Sequence, residues 1–393
     1  MKTIQIYRTG WKQALPILNL NNLDETLELH FDIMSPYPRD LKYKVEHYSA
    51  NWQKSNLSFY DFADGLPEDY ITDVTTSNAM GPRYTHYGLK IPNENFTLKF
   101  SGNYVIKVYD SQTDSTILEI GFLVVEPKVN IDVSPKRATN AELRFAGQEI
   151  DFSISSNNYL LTNPYEDLKV FVLQNFRYDN AIALEPLFVK HDEIDYNFEV
   201  ENVFFGGNEF RPLDLRNLNA NPTVNLISRE NKIQEFATPR IEKRAFLNYK
   251  TEFDINGRYV DLNNNDFFDP KTHNEYVWVD FQLNTTYLYD KRKVYVFGEL
   301  SNYQFKDEFA LSLNQEKGIM SKKILLKAGY YNYLFLVNKP NMLPNPRSTS
   351  TWDIEGNHEE TENEYQILIY HKAPGTYHDA LVGFGFVKYP VGN

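Results

Sequence analysis

The sequence predicts an all-β chain of tandem β-sandwiches, on three observations. Apolar and polar residues alternate through most of the chain, the period of a half-buried strand. Aromatic residues make up 15% of the sequence, with 28 Tyr and 27 Phe, and such residues fit a pleated, partly covered surface. Turn signals recur, and Pro212, Pro222 and Pro239 leave no room for long helices in the middle of the chain. At 393 residues the chain exceeds one small core and calls for two or three domains. The punctuation places them at residues 1–126, 127–275 and 276–393.

In the first unit, residues 3–9 read as an opening strand, followed by strands in 15–20 and 26–34. Leu27, Leu29 and Phe31 alternate cleanly toward one face. Residues 43–52 form another strand, carrying Tyr48 and Trp52. The acidic stretch 58–76 resists a strand reading and has room for one short helix. Residues 84–125 then read as four strands joined by short turns, and the unit is organised around them. Phe96, Leu98 and Phe100 alternate, Ser101, Gly102 and Asn103 turn, and Tyr104, Ile106 and Val108 alternate again. Gly102 followed by Tyr104 looks like the corner of an immunoglobulin-like sandwich, where a tyrosine hydroxyl bonds back to nearby backbone. An ordinary antiparallel meander would also carry a chance Gly-x-Tyr.

The second unit opens near Val129, with strand signals at 129–135, 142–147, 149–155 and 168–175 and further ones to residue 253. The long polar loop 261–274 marks the next boundary. In the third unit, residues 276–283, 293–304, 322–329, 330–338, 361–372 and 378–390 supply the strands, with a turn at Ala328 and Gly329 and a Pro/Asn-rich loop from Asn338 to Ser350. No fixed short period repeats, which argues against solenoids and propellers.

The chemistry-bearing residues do not assemble into a reaction. The chain has no cysteine, which excludes disulfides, thiolate zinc sites and cysteine nucleophiles. The net charge of −13 argues against a general nucleic-acid or anionic-membrane binder, and the basic run 240–244 is short and contains Glu242. Asp261, Asn263 and Asn265 resemble the start of a calcium loop, but Asp266 replaces the expected glycine and Thr272 the closing glutamate, so a polar inter-domain loop reads better. The eight histidines are scattered without zinc spacing. No nucleophile elbow or phosphate-binding glycine loop occurs. No catalytic residue, metal site or cofactor is expected. No segment reaches the ~20 apolar residues that span a bilayer. The first 25 residues lack the apolar core of a signal peptide, interrupted by Lys2, Arg8 and Lys12.

The third unit carries a narrower likeness. Residues 294–304 (VYVFGELSNYQ), followed by Gly329, Tyr330, Tyr331, Tyr333 and Phe335, resemble the starch- and glycogen-binding sandwich modules of glycan-active enzymes. Those modules stack sugars on an exposed tryptophan after the Asn of the first motif, and here Tyr303 follows Asn302. Their second platform has no match, since residue 331 is Tyr. Tyr330 and Tyr331 therefore read first as core or strand-face residues. A carbohydrate-binding accessory protein is the alternative function this likeness implies.

Five stretches in order give a broader resemblance: VEHYSANW at 45–52, YTHYGLKIPN at 84–93, SGNYVIKVYD at 101–110, VYVFGELSNY at 294–303 and EGNHEETENEYQILIYH at 355–371. Together they resemble the plug proteins of the type IX secretion system of Bacteroidetes. His358 stands where that pattern has an aromatic. The resemblance implies a non-enzymatic periplasmic protein, peripheral to the outer membrane. It would bind and seal the periplasmic mouth of a giant outer-membrane β-barrel translocon, with other periplasmic secretion components as further partners. An exported chain is implied, with any leader outside this numbering. Trp52, Tyr84, His86 and Tyr87 are the expected contact residues in the first unit, with Tyr303 in the third. The competing expectation for each is simple packing inside its own sandwich.

Overall fold

The computed structural model describes all residues except 157, 191–192, 219–220, 230–232, 263–266, 285–291, 339–350 and 391–393. The chain is nearly all β, as the alternation predicts. In the first sandwich, the sheet Lys2–Arg8, Leu27–Ile33, Thr85–Ile91, Asp73–Thr76 packs on the sheet Ile17–Asn19, Thr116–Val125, Gly102–Asp110, Leu41–Tyr48, Asp69–Tyr70. Leu27, Leu29 and Phe31 meet Tyr104, Ile106 and Val108 in its core, and all six are fully buried. The acidic stretch holds one short helix, Phe59–Phe62, followed by three short strands. The corner at Tyr104 is present, with its hydroxyl donating to Phe100 O at 2.7 Å. The same device recurs in the third sandwich, where the Tyr331 hydroxyl donates to Lys327 O at 2.6 Å.

The remaining sheets do not follow chain order. Strands Asn363–His371 and Ala380–Tyr389, which sequence order places with residues 276–393, join a sheet with Leu168–Gln174 and Arg177–Leu184. The pairing runs from Leu168 opposite His371 to Gln174 opposite Tyr365. This sheet faces one built on Asn130–Arg137 and Gly147–Ser155, around a core containing Ile150, Ile154, Val172, Ile367 and Ile369. The third sandwich lies between these two lengths of chain. Its sheets are Arg211–Asp214, Tyr330–Asn338, Tyr259–Val260, with Lys293–Phe297 beside the far end of Tyr330–Asn338, and Asn225–Ser228, Glu235–Ala237, Tyr276–Asn284, Ile319–Lys327, Ser312–Asn314. An insertion of this kind is invisible to local pattern, because strand pairing across about 190 residues leaves no signal in either strand.

Candidate functional site

The three sandwiches are locked to one another through three junctions. Strand Leu27–Ile33 sends its apolar residues inward, so His30 and Asp32 fall on the outer face. That face is covered by the third sandwich, and both residues are buried. The register sets His86 beside Asp32, with Nδ1 and Oδ1 2.7 Å apart, and brings His86 Nε2 to 3.2 Å from His30 Nδ1. Tyr276 and Lys327, cross-strand partners in the third sandwich, both reach the same carboxylate. The Tyr276 hydroxyl donates to Asp32 Oδ2 at 2.7 Å, and Lys327 Nζ lies 2.7 Å from it. Lys327 and Asp32 are each 1% exposed. Burial lowers the Lys327 pKa below the usual lysine value, although Asp32 opposes the shift. The Tyr84 hydroxyl donates to Asn274 O at 2.9 Å, and its ring sits 4.4 Å under Lys327 Nζ.

Between the first and second sandwiches, Leu123, Leu173, Leu368 and Leu381 form an apolar cluster. Polar groups fix its register: Ala50 N donates to Asp379 Oδ2 at 3.0 Å, and Tyr370 donates to Asn103 Oδ1 at 2.5 Å. Between the second and third, Arg258 pairs with Glu364 at 2.5 Å and the Arg177 guanidinium lies 4.7 Å over the Phe297 ring. Nearby, Glu355 is fully buried against Arg244 at 2.7 Å and Arg211 at 3.0 Å. Burial alone would raise the Glu355 carboxyl, but the two guanidinium groups hold it below the usual glutamate value.

Where the three sandwiches meet, a cleft of about 640 Å³ opens. The first sandwich supplies Ile4, Ile6, Trp52 and Ile117 to Gly121, the second Phe176 and Tyr178, and the third Arg258, Glu299 and Tyr303. The Trp52 indole lies so close over Gly121 that a Cβ there would stand 2.6 Å from the ring. Tyr178 meets Trp52 edge-on, with ring centroids 5.3 Å apart. Among the described residues, nine non-glycine residues have positive φ, and five of them (Trp52, Asn175, Phe176, Asn302 and Tyr303) line this cleft. Backbone in this sparsely populated region persists only where its surroundings fix it, and such residues gather at ligand and contact sites.

The expected contact residues therefore separate. Trp52 and Tyr303, about 250 residues apart in sequence, share the cleft. Tyr84 and His86 lie buried in the junction between the first and third sandwiches. Tyr87 points into the first core, stacked on Phe31 at 5.2 Å, and its hydroxyl accepts from Arg39 N at 2.7 Å. Tyr331 is core, as first read, and the Tyr303 ring packs against Phe297 while its hydroxyl donates to Asn256 O at 3.0 Å. Of the polar loop at 261–274, Asn263 to Asp266 lie outside the described residues, and Asp261 is buried and paired with Lys12 at 2.5 Å. Sequence reading missed Phe176, Tyr178, Arg258 and the strand edge at Ile117 to Gly121, because the cleft is assembled from separated segments.

The architecture is that of an all-β protein of mutually locked sandwiches. Among the described residues no group of three or more His, Asp or Glu could hold a metal, and no helix is long and apolar enough to cross a membrane. Residues 1–126 match the family described as type 9 secretion system plug protein, 1st domain. The first sandwich therefore carries a plug-protein first domain, which relates the chain to type IX secretion, and the match ends at residue 126. A solved structure described as a hypothetical protein from Parabacteroides merdae is 32% identical, with a TM-score of 0.93 over 98% of this chain and 96% of that one. The C-terminal domain of the Streptococcus pyogenes antigen I/II-family protein AspA is 9% identical over 98% of each chain with a TM-score of 0.16, too low for a shared fold. No curated protein matches the chain.

Proposed function

We propose that this protein is a non-enzymatic, periplasmic plug that binds and closes the periplasmic opening of the outer-membrane β-barrel translocon of type IX secretion. The observation that carries the reading is the plug domain at residues 1–126. The junctions support it physically. A seal across a wide pore must not deform, and each pair of sandwiches is joined by polar contacts of fixed geometry, buried between the first sandwich and the other two and part-buried between the second and third. A polar contact with a defined partner resists sliding, which an apolar face alone tolerates.

In this reading Trp52 and Tyr303 are contact residues at the cleft, while Tyr84, His86 and Tyr87 contribute from inside by holding the sandwiches rigid. No observation favours the carbohydrate-binding alternative, since Tyr303 is held by Phe297 and Asn256 rather than offered as a free platform. The test is an affinity pull-down of the tagged full chain from a detergent extract of its own bacterium's outer membrane. A stoichiometric giant barrel protein in the eluate is the expected result. An eluate holding this chain alone would overturn the reading.

A further inference from the structure

Strand Thr116–Val125 leaves part of its edge unpaired inside the three-way cleft. One side pairs along Gly102–Asp110, while on the other Ile17–Asn19 covers only Leu123 to Val125. Leu123 N donates outward to Pro16 O at 3.0 Å. Backbone groups of alternate residues point the same way, so Gly121 and Glu119 also direct their N–H and C=O outward. These groups have no partner among the described residues. Ile117 to Gly121 all line the cleft. Successive side chains point to opposite faces, so five consecutive residues share a cleft only where a strand shows it an edge.

Exposed edges are normally blunted by charge, proline or a covering element. The charge of Glu119 is turned aside to Lys107 at 3.0 Å, leaving the backbone open. On the core side of this edge stand Ile4 and Ile6, from the edge strand Lys2–Arg8, and on its outer face the ring of Trp52 lies over Gly121. A repeat of donor and acceptor at every second residue, facing an apolar wall, is matched by another extended backbone with apolar side chains at alternate positions.

We propose that the cleft is a strand-addition site, in which an extended segment of a partner polypeptide pairs with Glu119 and Gly121, lays alternate apolar side chains against Ile4 and Ile6, and turns its other face toward Trp52. The proposal goes beyond the plug reading and does not depend on it.

The test is selection of a displayed library of random decapeptides on the immobilised full chain. Enriched peptides are then measured against wild type and the Glu119→Pro variant. Proline is tolerated at an edge where the N–H faces outward, so the ladder to Gly102–Asp110 survives while the outward donor is removed. Peptides apolar at alternate positions are expected, losing about tenfold or more in affinity for the variant, the effect of one shielded hydrogen bond. Should the variant fail to fold, hydrogen exchange on wild type decides. The amides of Glu119 and Gly121 are expected to exchange rapidly alone and at least about tenfold more slowly with the selected peptide bound. A selection that enriches nothing, equal affinity for a folded variant, or amides that the peptide leaves unprotected would each overturn the proposal.

Discussion

Replacing Lys327 with Met tests whether a buried charge holds the first and third sandwiches together. Lys327 Nζ contacts Asp32 Oδ2 at 2.7 Å and Lys271 O at 2.6 Å, above the Tyr84 ring at 4.4 Å. Methionine fills much of the same space but leaves the Asp32 carboxylate without its cation and the Lys271 carbonyl without a donor. Breaking a buried pair from one side costs about 3–5 kcal/mol. Asp32 keeps the Tyr276 hydroxyl and His86, both at 2.7 Å, which places the expected loss near the lower end, about 3 kcal/mol. Adding Asp32→Asn removes the stranded charge, so the double variant is expected to be more stable than the sum of the single losses by about 1 kcal/mol or more. Urea unfolding of the full chain, followed by tryptophan fluorescence and circular dichroism, reads both numbers. A Lys327→Met loss within about 0.5 kcal/mol, the range of surface substitutions, would refute the argument. So would single losses that simply add.

Four further outcomes follow from the geometry. Glu355→Gln strands Arg211 and Arg244 and should cost about 3–5 kcal/mol in urea unfolding. Because the folded Glu355 carboxyl lies below its usual value, its contribution is present above the unfolded glutamate pKa and lost as pH falls through the folded one, and the variant's acid titration should lack this component. Tyr104→Phe and Tyr331→Phe each remove one hydroxyl-to-carbonyl bond and are expected to cost about 1 kcal/mol apiece, measured the same way. Asp254 shifts the other way: burial pushes its carboxyl up to about 7, so its contribution is present below the unfolded aspartate value of 3.8 and lost as pH rises through about 7. Asp254→Asn should flatten the stability profile across that window. Trp52→Ala uncovers Gly121 and should lower stability by about 2 kcal/mol, less than a full core truncation, and weaken capture of the barrel. Unchanged capture with lowered stability would assign Trp52 to packing alone.

Much of the first sandwich was legible because its information is local. Leu27, Leu29 and Phe31 alternate onto one face, and Gly102 with Tyr104 announced a corner whose hydrogen bond is present. Gly329 and Tyr331 carry the same spacing and make the same bond, so that signal was available in the third sandwich too. What stayed hidden depends on tertiary covering. His30 and Asp32 sit at polar positions of an alternating strand and read as solvated, yet a second sandwich buries them. Arg244 belongs to a basic run that looks like surface, but its side chain turns onto Glu355. Strand Asn363–His371 reads as the neighbour of what precedes it and instead pairs with Leu168–Gln174. The cleft was out of reach for the same reason, since Ile4, Trp52, Phe176 and Tyr303 lie in four distant segments. Trp52 and Tyr303 each stand out in the sequence, and nothing local says that they share a wall.

The most direct measurement is the ionic conductance of the purified translocon in a planar bilayer, recorded before and after adding this protein to the periplasmic side. The plug account predicts that the large open-pore conductance falls to the baseline as the protein binds, and returns when it is removed. Full conductance with the protein demonstrably bound would contradict the account, leaving a partner that docks on the barrel without closing it.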